Sequence, residues 1–191
     1  MFRSAPIFAA GLICLGLLGC AGGRAPATYD LVAPRSFAAS ARSARFQLVV
    51  AEPNAVHALG TDRILVRQGG GKISYYKGAA WSDRLPRLVQ ARMIETFENS
   101  GAVRAVSSTT GDYRLATELR AFQIDVSGAS TAAEIDLFAK LVNRSGKVVA
   151  SKGFSARVPA ATDSPSDAVS ALNQAFTQVM QDTTSWVASK R

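Results

Sequence analysis

Hydrophobic positions along this chain repeat with two periods, and the switches between them mark out its elements. Phe46, Leu48 and Val50 alternate with other residues, the two-residue period of a half-buried strand, and Pro53 closes the run. Ile64 and Val66 precede Gly69-Gly70-Gly71, and Ile73, Tyr75 and Tyr76 follow it. Two short β-branched and aromatic runs about a glycine turn predict a hairpin, with loop length and register left open. After Trp81 the period lengthens to 3.6. Leu85, Leu88, Val89, Met93 and Phe97 fall on one helical face, and Arg84, Arg87, Glu95 and Glu98 on the other. Ser82 or Asp83 can cap the start, Pro86 fits the first turn, and Gly101 follows the end.

Beyond that helix the two-residue period returns. Residues 104–108 read as a weak strand and 109–112 as a turn. Tyr113, Leu115, Leu119 and Ala121 then alternate against Arg114, Glu118 and Arg120. At Phe122 the parity flips, because Phe122, Ile124 and Val126 carry the apolar positions. A one-residue slip reverses the faces of a strand, so a β-bulge or bend is predicted near Ala121–Phe122. Ala133, Ile135, Leu137, Ala139 and Leu141 form the next inward set, Asn143 to Gly146 turns the chain, and Val148, Ala150, Phe154, Ala156 and Val158 return. The opposite face is polar, with Glu134, Asp136, Lys140 and Arg157, as in an antiparallel meander covered on one side. Pro159 ends the sheet. Ser164 is placed to cap a second helix, with Pro165 at its first position and Asp167 in its first turn. Its stripe is Val169, Leu172, Phe176, Val179, Met180 and Val187. The predicted class is α+β, an antiparallel-rich sheet with two amphipathic helices packed on one face.

The first 45 residues read differently. Arg3 precedes an uncharged, mostly apolar run from Ala5 to Leu18 that is too short to span a bilayer comfortably, which points to a cleaved export leader. Leu17-Leu18-Gly19-Cys20 resembles a bacterial lipobox. In such signals the cysteine thiol is linked to diacylglycerol, the leader is cut before it, and the new amine takes a palmitate-type acyl chain. Three chains at about 0.8 kcal/mol per buried CH₂ hold a protein effectively permanently. Ala21 is not an aspartate, and resemblance to lipoprotein sorting signals then favours the outer membrane. Residues 21–45, rich in Ala, Ser, Gly, Pro and Arg, read as a tether interrupted by a strand-like Tyr29-Asp30-Leu31-Val32. The expected division is a leader over 1–19, a lipidated N-terminus and tether over 20–45, and one periplasmic domain over 46–191.

Several stretches together resemble the ABC-type transport auxiliary lipoprotein family, partner lipoproteins of MCE-domain lipid transporters. They are "RILVRQ" with "ISYYKGAAWSDRLPRLVQARMIETFENSG", then "DYRLATELRAFQID", "AEIDLFAKLVNRSGKVVASKGFSARVP" and "AVSALNQAFTQVMQDTTSWV". The resemblance runs from about Tyr29 to Val187. It implies an outer-membrane lipoprotein facing the periplasm, an auxiliary subunit that contacts an MCE-domain protein, self-associates in some arrangement, and helps move lipid between membranes. The alternative reading is an envelope scaffold or assembly factor with no part in transport.

Composition narrows the chemistry. Apolar content of 48% and charged content of 19% fit a folded domain. The net charge is 22 − 14 = +8, or +7 without Arg3, which suits acidic partners, and an export leader argues against nucleic acid. Of two cysteines, Cys14 lies in the leader and Cys20 in the lipobox, so the mature chain is expected to have no disulfide and no thiolate metal site. The single histidine, His57, has no patterned acid or nucleophile beside it. Gly69 to Lys72 lacks Walker spacing and has Ile73 where a magnesium-binding hydroxyl belongs. No serine sits in a nucleophile elbow. An enzyme is not expected, nor a metal, nor any cofactor beyond the covalent lipid on Cys20. What remains is a basic, aromatic surface: Arg67, Tyr75, Tyr76, Trp81, Arg84 and Arg87 are the expected partner-binding residues. The first helix also carries arginines at its start and glutamates towards its end, against its dipole, at about 0.3–1 kcal/mol per exposed charge.

Overall fold

The computed structural model describes residues 25–37, 46–108 and 110–190. Among these residues the chain order is β1 (Ala27–Tyr29), β2 (Gln47–Val50), β3 (Asn54–Ala55), a 3-10 turn (His57–Leu59), β4 (Arg63–Arg67), β5 (Ile73–Trp81), α1 (Leu85–Ser100), β6 (Arg104–Val106), β7 (Tyr113–Asp125), β8 (Ala132–Asn143), β9 (Val148–Pro159) and α2 (Pro165–Ala188). The class is α+β. Cys20 and its lipobox, and about half of the tether, lie outside the described residues.

The thirteen-residue β7 is the spine of a mixed sheet. On one side it pairs antiparallel with β8, and β8 with β9, the meander that the alternation predicts. On the other side three short strands follow one another along the same edge. β2 lies beside residues 113–115, β3 beside 118–119 and β4 beside 123–125, all parallel to β7. β6 adds in parallel to β2, and β1 to β5. Five of the eight pairings are therefore parallel, and antiparallel pairing is confined to β4–β5, β7–β8 and β8–β9. This corrects the expectation of an antiparallel-rich sheet. β2, β3 and β4 advance along β7 without turning back, whereas parallel neighbours such as β2 and β6 need a return between them, and β5 with α1 carries the chain back before β6 is laid down.

The register of β7 against β8 shifts between Leu119 and Ala121, the slip expected one or two residues later. Before it Leu115, Thr117 and Leu119 are buried; after it Phe122 and Ile124 are. Both helices cover the inward face. Leu85, Leu88, Val89, Met93 and Phe97 of α1 meet Val169, Leu172, Phe176, Val179 and Met180 of α2 in one continuous core with Leu115, Ile135, Leu137 and Leu141 from the sheet. Each such side chain contributes about 1.5–3 kcal/mol on burial.

The helix ends are local. Ser164 Oγ accepts the Asp167 N–H at 3.2 Å, with Pro165 next in line, as the sequence predicts. In α1 the N-cap position falls on Arg84, which makes no side-chain cap, rather than on Ser82 or Asp83. Asp83 acts one residue early, accepting the Arg84 N–H at 2.7 Å, while the Leu85 N–H reaches the Thr61 carbonyl. Gly101 ends α1 at φ 63°, a left-handed conformation that costs glycine little.

Residues 27–36 overturn part of the tether reading. β1 pairs with β5, and the chain then crosses both helices as a strap. Leu31 and Ala33 are 1% and 2% exposed. Asn173 of α2 accepts the Val32 N–H and Gln181 donates to Ser36, while Asn99 of α1 donates to Pro34. No described helix is long and apolar enough to cross a membrane.

Candidate functional site

The six residues expected to form one docking surface do not stay together. Trp81 is 3% exposed: the parity of β5 turns Ala79 and Trp81 inward, where the indole meets Phe122 edge-on at 5.9 Å. It is a core residue. Tyr75 and Tyr76 are both half-buried, on opposite sides of β5 as alternation requires. The Tyr75 hydroxyl donates to the Ala58 carbonyl at 3.3 Å, and the Arg63 guanidinium stacks 3.8 Å from its ring centroid. Tyr76 lies near Asp163, in the loop before α2. Its own burial, and then the Asp163 carboxylate, push its hydroxyl above the ordinary tyrosine range.

The arginines divide in the same way. Arg84 sits 3.9 Å from Glu52 and donates to the Gly60 carbonyl, and Arg87 pairs with Asp83 at 3.3 Å. Local carboxylates thus offset the charge that the helix dipole disfavours, at the modest strength of exposed pairs. Arg67 stands apart, at the tip of the β4–β5 hairpin, where it is exposed beside the three-glycine turn.

Two arrangements had no signature in the sequence. The first is the seam where the strap crosses the helices. Arg92 of α1 donates to Asp30 of the strap at 2.6 Å and to Glu95 at 2.7 Å, and Asp30 also accepts from the Ser82 hydroxyl. Those charges lie 62 residues apart in the chain, which no local spacing reveals. The second is at the end of β7. Asp125 accepts from the Ser127 hydroxyl and backbone N–H and from Arg157 at 2.8 Å, while Gln123 donates to Glu134. The Ser127 hydroxyl bond, with that of Arg157, holds the Asp125 carboxyl at about 2 instead of 3.8.

An open cavity of about 530 Å³ lies at the other end of β7, among Val49, Asp112, Tyr113, Arg114, Asn143 and Arg144. Arg144 closes part of its rim, pairing with Asp112 at 2.7 Å and donating to the Gly111 carbonyl. Its polar side chains are the Arg144–Asp112 pair, the exposed Arg114, and Thr110, Tyr113 and Asn143. Among the described residues no three His, Cys, Asp or Glu side chains converge as metal ligands would, and His57 is exposed in the 3-10 turn.

Known proteins give this architecture a place. A Bradyrhizobium diazoefficiens protein of uncharacterised function, bll6063, is 35% identical over 181 residues; these cover 91% of this chain but 49% of that protein, so the chain spans about half the length of its relative. The crystal structure of Xanthomonas campestris XCC0632 is similar at a TM-score of 0.79 and 31% identity, over 85% of this chain and 95% of that one. The Chlamydia trachomatis protein CT253 shares the fold alone, with a TM-score of 0.55 and 6% identity over 76% of this chain and 96% of its own. Residues 29–183 match a family described as the ABC-type transport auxiliary lipoprotein component, a span that takes in the last residue of β1, the strap after it, β2 to β9, α1 and most of α2. The chain belongs to the ABC-type transport auxiliary lipoprotein family.

Proposed function

We propose that this protein is a non-catalytic auxiliary subunit of an MCE-type ABC lipid-transport system, anchored in the outer membrane by acylated Cys20 and facing the periplasm. The observation that carries the reading is the family match over residues 29–183, preceded in the sequence by Leu17-Leu18-Gly19-Cys20. The division of labour is mechanical: the lipid holds the domain at the membrane, the folded surface contacts the MCE-domain protein, and lipid passes without a covalent step here. A sheet covered on one side by two helices leaves its other face available to a partner. That face carries charges of both signs, including Arg114, Glu118, Arg120, Lys140 and Arg157.

The test is affinity capture of the full chain from detergent-solubilised envelopes, with Cys20→Ala in parallel. An MCE-domain protein recovered with the wild-type chain, and loss of outer-membrane fractionation in the variant, are the expected results. Capture of an envelope complex without an MCE-domain protein would move the chain to the scaffold reading. A Cys20→Ala chain still in the outer membrane after a carbonate wash would remove the anchor.

A further inference from the structure

We propose that the tip of the β4–β5 hairpin rests on the lipid surface that holds acylated Cys20, so that the molecule stands on its membrane at the end bearing Arg67, Lys72, Ile73 and Val126. This rests on the lipidation of Cys20 put forward above.

The direction of the chain supplies the first argument. β1 runs parallel to β5, with Ala27 beside Ala79, so the chain enters β1, through Ala25 and Pro26, from the side of the start of β5 and the hairpin tip. Ala80 is level with Arg63, and four residues of β4 separate Arg63 from Arg67, about 13 Å of strand. Cys20 is five residues before Ala25, a reach of at most about 18 Å when extended. The hairpin tip is within that reach.

The opposite end of the sheet is not. Its exposed valines, Val148 and Val149, with Arg114, Arg144 and Lys147, would otherwise rival the tip as a basic and apolar surface. Leu65 is level with Gln123 and Val148 with Val142, which pairs with Arg114. The level of Arg63 therefore lies about eight β7 residues, or ~26 Å, from Tyr113, and the chain leaves β1 the other way. A tether of ~18 Å cannot bring that end to the membrane.

The tip also has the chemistry for a lipid surface. Ile73 faces Arg67 across the hairpin, and the Val126 N–H donates to the Arg67 carbonyl, so two apolar side chains, 54% and 37% exposed, flank one arginine. Lys72 and Lys77 are exposed on the same hairpin. None of these three cations makes a salt bridge among the described residues. Asp125, next to Arg67, is committed to Arg157, and Asp163 beside Tyr76 offsets a single charge. Apolar side chains ringed by lysine and arginine, whose apolar stems reach down while the charges stay at head-group level, suit a phospholipid interface.

The experiment uses the acylated full chain in vesicles of phosphatidylethanolamine and phosphatidylglycerol. Ile73→Cys and Val148→Cys variants are each labelled with an environment-sensitive fluorophore, Cys20 being blocked by its lipid. Nitroxide-bearing phospholipid should quench the label at position 73, blue-shift it on reconstitution, and leave the label at 148 unchanged. Quenching at 148 alone, equal quenching at both, or none at either overturns the orientation. Intact mass separates the two readings. An unacylated Cys20 removes the anchor and the orientation together, whereas an acylated chain with an unquenched label at 73 removes the orientation alone.

Discussion

Replacing Leu31 by alanine tests whether the strap is part of the folded domain or the end of a tether. Leu31 is 1% exposed and sits in the same core as Leu85, Phe97 and Val169, although composition places it in a linker. Truncating a buried leucine costs about 2–5 kcal/mol, through lost transfer energy and a residual cavity. The strap packs over two helices rather than between them, so partial collapse favours the lower half, about 3 kcal/mol. For a domain of this size that lowers Tm by roughly 6–12 °C. Val32→Ala, next door and 57% exposed, should stay within about 0.5 kcal/mol of wild type. The assay is guanidinium unfolding of the leaderless protein from Ala21, followed by tryptophan fluorescence, since both Trp81 and Trp186 are core residues. The expected result is a lower midpoint with an unchanged slope for Leu31→Ala. Equal effects at positions 31 and 32 would refute the reasoning, because a strap that detaches at little cost has no claim on the core.

Two further outcomes follow from single groups. Folding lowers the Asp125 pKa to about 2 from 3.8, so the stabilisation it contributes is fully present above pH ~4 and lost as pH falls through about 2; Asp125→Asn should lower stability at neutral pH, by about 1 kcal/mol given the half-exposed arginine partner, and flatten this acid limb, and an unchanged acid limb would dismiss the cause. Ser164→Ala removes the one side-chain cap seen on α2 and should cost about 1 kcal/mol, measured by urea unfolding, whereas Ser82→Ala, which caps nothing, should cost clearly less.

Sequence alone determined whatever depends on neighbours within a few residues. The α1 and α2 stripes are legible because 3.6-residue spacing puts Leu85, Leu88, Val89, Met93 and Phe97 on one face whatever they pack against. The β7 slip is legible because the parity of apolar residues reverses at Phe122. The Ser164 cap is legible because its acceptor and donor are three residues apart. Tertiary structure decided what those patterns leave free. Alternation gives a strand its face but not its partner, so nothing in Leu48 or Ile64 announces that β2 and β4 would share one edge of β7 in parallel. Trp81 has the look of a docking aromatic beside Tyr75 and Tyr76 until the parity of β5 turns it onto Phe122. The strap shows the reason most plainly. Only Leu31, Ala33 and Pro34 of its residues turn fully inward among the Ala, Pro and Arg that suggest a linker, and what fixes it is Asn99, Asn173 and Gln181, side-chain amides 65 to 145 residues away that reach it once the helices have packed.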